Sequence, residues 1–263
     1  MRFFAALSSL VVATGLLGQT DGFPELMHEQ RDNKVYTVTT GRALELHGYA
    51  LTRESLVRAL RDPDAQVRSM AADELAKRGD KEAAPSILEA LSSEKAIGTR
   101  VWMANALLKL GVAEGTSELR AICGPTTASY YPRLVAAGDL LGAGDATCRD
   151  QVIDMVRSMS TLESTLRESL LVYGLTLFTG RFAPMFQPKA AEVREVATTL
   201  LADKVRGVRM AASNALGEHG DAASLQALQE AAEAETEDVV RVRMLTNVKI
   251  LQDKARLPAE GKE

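Results

Sequence analysis

The sequence predicts an all-α protein, an α-α superhelix built as a solenoid of about six helical hairpins. Three observations support this prediction. Alanine and leucine, which favour helices, recur throughout a chain in which aromatic residues make up only 5%. A short motif that contains arginine recurs at nearly constant spacing, and an apolar pattern with the period of a helix precedes most copies. Because 46% of the 263 residues are hydrophobic, the chain can fill a sizeable core.

The recurring motif is an apolar residue, an arginine, two variable residues, two small or apolar residues, and then a leucine three positions further on. Its clearest copy is Val208 and Arg209, followed by Ala212, Ser213 and Leu216. The same arginine position is occupied in five other copies by Arg68, Arg100, Arg133, Arg167 and Arg243.

The spacing of these arginines defines the repeat. Successive arginines are 32, 33, 34, 42 and 34 residues apart. A nearly fixed period of this length is typical of stacked repeats, in which each unit contacts only its neighbours. The longer fourth step, and Gly174 in place of the expected leucine, predict an irregular region in the middle. The closing leucines of the other copies are expected to be buried, namely Leu75, Leu107, Leu140 and Leu216.

Each repeat is predicted to consist of two antiparallel helices. Most motif copies end at a glycine, which permits the left-handed backbone that closes a helix. An aspartate follows in three copies and is expected to cap the next helix. A second apolar pattern with helical spacing precedes most of the arginines, as at Leu56, Val57 and Leu60. The closing glycines are Gly79, Gly111, Gly144 and Gly220, and the aspartates are Asp80, Asp145 and Asp221.

The full signature, Val-Arg-x-x-Ala-Ala-x-x-Leu-x-x-x-Gly-Asp, resembles the HEAT-repeat family, in particular the short prokaryotic type also found in phycobilisome lyases. The resemblance covers about residues 51–252. It implies a solenoid whose second helices line the concave side, and a role as a scaffold that binds a protein or peptide partner through that concave face. It also implies an alternative, a subunit or relative of a lyase that acts on a bound cofactor or chromophore. The fold alone does not choose between these functions.

The N terminus has the pattern of a secretory signal peptide. Arg2 is followed by an apolar run from Phe3 to Leu17 and by the small or polar residues 18–20. The run is short for a membrane-spanning helix, which needs about 20 apolar residues. We therefore expect cleavage near residues 18–20, a secreted or periplasmic protein, and no stable membrane span after the leader is removed. An uncleaved anchor is the alternative.

The remaining chain divides into three parts. Residues 21–50 are expected to form an extension and cap, with an extended segment at 34–40 and a short helix over 42–51. Residues 51–254 are expected to form the solenoid, and residues 255–263 a polar tail. The two cysteines, Cys123 and Cys148, form a disulfide in one interpretation and remain buried thiols in the other.

No catalytic or metal-binding motif stands out, and the sequence predicts a protein that is not an enzyme and needs no cofactor. The three histidines, His28, His47 and His219, share no ligand spacing, and His219 is expected in a surface turn. The net charge of −4 argues against nucleic acid, which requires a basic face. The expected partner is a protein or peptide.

The arginines of the repeat have two interpretations. They could grip an acidic partner, or each could pair with a turn aspartate and tie neighbouring repeats together. The aspartates considered for this pairing are Asp62, Asp64, Asp203 and Asp238.

The aromatic candidates also remain open. Trp102 and Tyr131 are either contact residues or core. Phe182 and Phe186, which lie beside Phe178, are either part of a protruding apolar loop or a plug that fills the irregular repeat.

Overall fold

The computed structural model describes residues 39–124, 128–164 and 166–256, together with three short strands near the N terminus. The strands β1 (Leu10–Val11), β2 (His28–Arg31) and β3 (Lys34–Thr37) form one antiparallel sheet in that order. Strand β3 lies within the segment predicted to be extended. The predicted leader, apart from β1, and the predicted tail beyond Arg256 lie outside the described residues.

The described helices confirm the all-α fold class, and they belong to two compact units, Met1–Ile122 and Cys123–Glu263. In the first unit α2 pairs with α3 and α4 pairs with α5, while α3 packs between α1 and α5. The helices are α1 (Thr40–Leu46), α2 (Arg53–Ala59), α3 (Ala65–Lys77), α4 (Ala84–Ser93), α5 (Ile97–Lys109) and α6 (Ala113–Cys123), which reaches the boundary of the unit.

Local sequence explains how the first hairpin turns. The Thr52 side chain accepts a hydrogen bond from the Ser55 N–H at the start of α2. The Asp64 carboxylate accepts one from the Gln66 N–H at the start of α3. These caps satisfy backbone donors that have no partner inside a helix. The short polar turn over residues 62–64 therefore ends one helix and begins the next.

The second unit repeats the arrangement with an irregular insertion. Three hairpins are formed by the pairs α8–α9, α11–α12 and α13–α14. One row of successively packed helices consists of α7, α9, α12 and α14. The other row consists of α8, α11 and α13. We call the members of the first row, with α3 and α5, the second helices. The helices are α7 (Tyr130–Gly142), α8 (Arg149–Met159), α9 (Arg167–Thr176), α10 (Ala183–Phe186), α11 (Ala190–Thr199), α12 (Arg206–His219), α13 (Ala222–Ala234) and α14 (Asp238–Arg256).

The closing leucines of the motif are all fully buried, as predicted. In the degenerate copy of the motif, glycine replaces the expected leucine at position 174 for a steric reason. A Cβ atom added to Gly174 would lie 2.6 Å from Cγ2 of Val156, so helices α8 and α9 approach too closely there for leucine. Three of the closing glycines, Gly79, Gly111 and Gly144, have positive φ, as the left-handed cap requires. Gly220 does not, because its φ is −67°, so that part of the prediction is wrong.

The structure joins Cys123 and Cys148 in a disulfide, with Cα atoms 6.2 Å apart. Both cysteines are buried, and Cys148 immediately precedes α8. The bond closes a loop of 25 residues and ties the start of the second unit to its first complete hairpin.

The insertion between α9 and α11 is a series of short turns, since Pro184 and Pro188 interrupt any long helix. His219 lies beneath it, and the prediction of a surface turn for this residue is wrong. The imidazole is only 3% exposed. Its Nε2 donates to the Phe178 carbonyl oxygen at 2.6 Å, which leaves Nδ1 to accept from the Gln187 amide at 3.4 Å. Helix α12 extends through His219, so the ring is covered instead of lying in a loop.

This histidine makes stability depend on pH. Burial lowers the pKa of His219 below its ordinary value of 6.5. Its contribution to stability is therefore fully present above pH 6.5 and is lost as the pH falls below that value, at a rate of at most about 1.4 kcal/mol per pH unit. We expect His219→Gln to flatten this decline, as measured by urea unfolding between about pH 7.5 and pH 5.5. His47→Gln, at an exposed histidine, is the matched control and should keep the wild-type slope. Equal slopes in all three proteins would contradict the assignment.

Candidate functional site

Arg68 on α3 connects two successive hairpins. Its Nε and Nη2 donate to the Glu94 carboxylate at 2.7 and 3.0 Å. Its Nη1 donates to the carbonyl oxygens of Asp62 and Pro63 in the turn of its own hairpin, at 2.7 and 2.9 Å. Glu94 is buried in the turn of the next hairpin, where Oε1 also accepts two backbone N–H groups at 2.8 Å. The guanidinium is therefore fully engaged inside the fold.

Arg209 on α12 repeats this geometry in the second unit. It binds the Glu235 carboxylate at 2.6 and 3.1 Å and the Asp203 carbonyl oxygen at 2.9 Å. Glu235 is again buried, 26 residues beyond the arginine, and again accepts two backbone N–H groups, at 3.0 Å. The same contact thus recurs at the same sequence spacing in both units.

Two further arginines of the repeat are also paired. Arg167 forms an ion pair with the Asp203 carboxylate and donates to the Ser160 carbonyl oxygen at 2.8 Å. Arg100 pairs with Glu118 on α6, its Nε at 2.8 Å from Oε1. Pairing with a turn aspartate was therefore predicted correctly for Arg167 alone. Arg68 and Arg209 use the turn only through backbone carbonyls, and a glutamate from the next hairpin supplies the carboxylate.

The pKa values of these carboxyl groups follow from the pairing. Burial alone would raise the pKa of Glu94, but Arg68 and the backbone N–H groups outweigh it and hold that pKa below its usual range. Burial alone would also raise the pKa of Asp203, but the ion pair with Arg167 and a backbone N–H group outweigh it and lower that pKa. The Arg209 guanidinium lowers the pKa of Glu235. All three carboxylates remain ionised at neutral pH, so each tie is an ion pair.

Arg243 was assigned to the same arginine position, and this assignment is wrong. In the last repeat Arg241 takes the position, since its Nη1 donates to the carbonyl oxygen of Glu235, six residues earlier. Arg68 and Arg209 contact carbonyls with the same offset. Residues 240–243 read Val-Arg-Val-Arg, so the motif fits the sequence in two registers, and burial of Val240 selects the first. Arg243 is exposed and forms no hydrogen bond or ion pair with the described residues.

The remaining predicted contact residues of the second helices are partly buried. The Trp102 side chain is half-buried, and its indole N–H has no hydrogen-bond partner within the described ranges, as is also true of Nε of Arg133. Tyr131 is half-buried, and burial raises its pKa.

The phenylalanines of the insertion are mainly a plug. Phe186 is fully buried and packs edge-on against Phe178 with ring centroids 5.0 Å apart, so its prediction as a contact residue is wrong. Phe182 is half-buried, and the Arg181 guanidinium lies 4.7 Å from its ring centroid. The apolar rings fill the space that the irregular repeat leaves.

Among the described residues the most exposed apolar surface lies on α14, and sequence analysis missed it. One face of this helix is buried, through Val240, Met244, Val248 and Leu251. The opposite side exposes large side chains: Val239 (70%), Val242 (62%), Leu245 (51%) and Ile250 (41%). The α12–α14 groove, defined here as the concavity of about 450 Å³ lined by Met210, Asp238, Val239, Val242, Arg243 and Thr246, lies at this surface. The signal available in the sequence was that α14 carries apolar residues on more than one face.

Neither a metal-binding cluster nor a membrane-spanning helix occurs among the described residues. Across the parts of the chain that the structure describes, no group of three or more His, Cys, Asp or Glu side chains is placed to hold a metal ion. Within those same ranges no helix combines the length and the apolar character that crossing a membrane requires.

Stacked helical hairpins with a repeated arginine define a repeat protein of the α-solenoid class. The model of the HEAT repeats family matches residues 53–137 and 183–246, which together are more than half of the chain. This chain therefore belongs to the HEAT-repeat family. No curated protein gives a significant match.

Several solved structures are similar to this chain at low sequence identity. The complex of CpcE and CpcF of phycocyanin lyase from Nostoc sp. PCC7120 is 20% identical, with 77% of this chain and 95% of that chain covered and a TM-score of 0.37. An engineered protein is 17% identical, with 76% and 96% covered and a TM-score of 0.45. Human deoxyhypusine hydroxylase in complex with glycerol is 19% identical, with 81% and 77% covered and a TM-score of 0.35.

The difference between the tied arginines and Arg243 is testable by substitution. Arg209→Ala leaves the buried Glu235 carboxylate without its cation, which should lower the free energy of unfolding by about 3 kcal/mol or more. Arg243→Ala removes an exposed cation and should change it by less than about 0.5 kcal/mol. Chemical denaturation of both variants measures the two effects. Equal losses would show that the arginine register proposed here is incorrect.

Proposed function

We propose that this chain is an exported scaffold without catalytic activity, which binds a protein or peptide partner through the exposed faces of its second helices. The observation that carries this proposal is the α12–α14 groove. It combines exposed valines with Arg243, an exposed cation that has no hydrogen bond or ion pair with any described residue. A protein surface with these properties is typical of an interaction site.

The distribution of exposed apolar side chains supports a binding role. Among the described residues, four of the five large hydrophobic side chains most exposed to solvent belong to α14, and the fifth is Leu46. An apolar cluster on one helix face costs free energy in water unless something covers it. Scattered exposed residues would need no such explanation.

Several charged side chains of the repeats have structural partners within the fold. Asp73 on α3 is buried and pairs with Lys77 at 2.6 Å and with Lys109 of α5 at 3.2 Å. The arginine ties use Glu94, Asp203 and Glu235 in the same way. These side chains are neutralised by pairing within the fold, which favours a scaffold over an enzyme as the proposal.

Two features support export. The N-terminal sequence has the charge and apolar pattern of a secretory leader. The buried disulfide between Cys123 and Cys148 is of the kind that persists in oxidising compartments and is rare in the cytosol.

Site-specific photo-crosslinking in living cells tests the proposal. The full chain, with its leader, carries a benzophenone amino acid in place of Val242 in the α12–α14 groove or, as the control, in place of Gln229, which is exposed on α13. We expect one discrete crosslinked protein from position 242, none from position 229, and recovery in the secreted or periplasmic fraction. Absence of a product at 242, or equal products at both positions, would contradict the binding role. A cytoplasmic protein that retains its leader would contradict export, and a co-purifying chromophore would favour the lyase alternative.

A further inference from the structure

The last helix is cationic although the chain as a whole is acidic. Helix α14 contains five lysine or arginine residues and two aspartates, in a chain with a net charge of −4. This imbalance lies beside the α12–α14 groove, so it bears on what the groove can bind.

Three of the five cations of α14 are used inside the fold. Arg241 binds the Glu235 carbonyl oxygen and pairs with Asp238. Lys254 donates to the carbonyl oxygens of Gly217 and Glu218 at the end of α12, at 2.7 and 2.9 Å. Arg256 pairs with Asp253 at 3.8 Å.

The other two, Arg243 and Lys249, have no ion pair or hydrogen bond with any described residue. The acidic side chain that lines the groove, Asp238, is already neutralised by Arg241. The uncompensated charge of the groove is therefore positive.

These two cations flank the exposed apolar residues. At 3.6 residues per turn, Val239, Val242, Thr246 and Ile250 lie along one stripe of α14. Arg243 and Lys249 lie about 60° to either side of Thr246 around the helix axis, one on each side of the stripe. The surface is an apolar strip with a free cation along each edge.

We propose, on the basis of the binding role proposed above, that the α12–α14 groove binds an acidic amphipathic helix of a partner protein. Apolar side chains of the partner, spaced three or four residues apart, pack against Met210, Val239 and Val242. Aspartate or glutamate residues that flank this apolar face pair with Arg243 and Lys249. This is the helix-in-groove mode of recognition, in which the apolar positions supply affinity and the flanking charges select the partner.

The charges disfavour a second copy of the chain as the occupant. If two α14 helices pair antiparallel about Thr246, Val242 of one copy faces Ile250 of the other. Arg243 then lies on the same side of the interface as Arg243 of the other copy, and Lys249 on the same side as the other Lys249, so two uncompensated cations meet on each side of the interface. Like charges placed opposite each other oppose association.

The test uses two synthetic helical peptides of about 18 residues, long enough to form several turns. Both have leucine at positions i, i+3 and i+7 on one face, with glutamate flanking that face in one peptide and lysine in the other. In fluorescence anisotropy we expect the dissociation constant of the acidic peptide for the purified protein to be about tenfold lower than that of the basic peptide. The double substitution Arg243→Glu with Lys249→Glu should abolish or reverse this preference. The matched control, Lys81→Glu with Lys95→Glu, reverses two exposed cations of the first unit and should leave it unchanged.

Three other outcomes of the peptide experiment would overturn the inference. These outcomes are equal binding of the two peptides, no binding of the acidic peptide, or a preference that survives the double substitution. A second assay measures sedimentation of the protein with vesicles of phosphatidylcholine containing one quarter phosphatidylglycerol. If the protein sediments with them, if the double substitution abolishes this, and if neither peptide binds, the surface is a membrane-binding surface. A dimer that the Val242→Asp substitution dissociates would assign it to self-association. If position 242 yields a crosslinked protein but the acidic peptide does not bind, the scaffold function is retained. Only an acidic helix as the partner is then rejected.

Discussion

The stacking depends on a buried ion pair. It joins an arginine of one hairpin to a carboxylate at the following hairpin. In the clearest cases, Arg68 with Glu94 and Arg209 with Glu235, the arginine also binds the carbonyl oxygens of its own turn. Each contact therefore fixes a turn, and it sets the position of that turn relative to the following hairpin. Because a buried charge is tolerated only when it is paired, the hairpins cannot separate without exposing or orphaning the ions.

The candidate binding surface lies on the last helix that the structure describes in its row. Every second helix before α14 in its row packs against a following member of that row within the second unit, as α12 does against α14. Helix α14 is the last described helix, and its exposed side retains valine, leucine and isoleucine side chains together with unpaired cations. The binding role proposed above rests on this apolar and cationic surface of α14.

The repeat, the paired helices and the buried leucines could be predicted because they depend on local periodicity. The errors occur where a longer-range contact decides. Arg243 and Arg241 fit the motif equally well, and only packing against α13 and α12 distinguishes them. His219 looks like a turn residue until the insertion covers it, and the sequence leaves Phe186 between a protruding loop and a plug until its ring meets Phe178. The α12–α14 groove was missed because exposure of a valine depends on whether a further helix follows in space.

A double-mutant cycle on Arg68 and Glu94 tests the central claim most directly. The free energy of unfolding is measured for the native chain, Arg68→Ala, Glu94→Ala and the double variant. If the pair joins neighbouring hairpins as described, the second substitution adds little once the first is made, and the coupling energy exceeds about 1 kcal/mol. A coupling energy below about 0.3 kcal/mol, with the two single effects simply additive, would contradict the account.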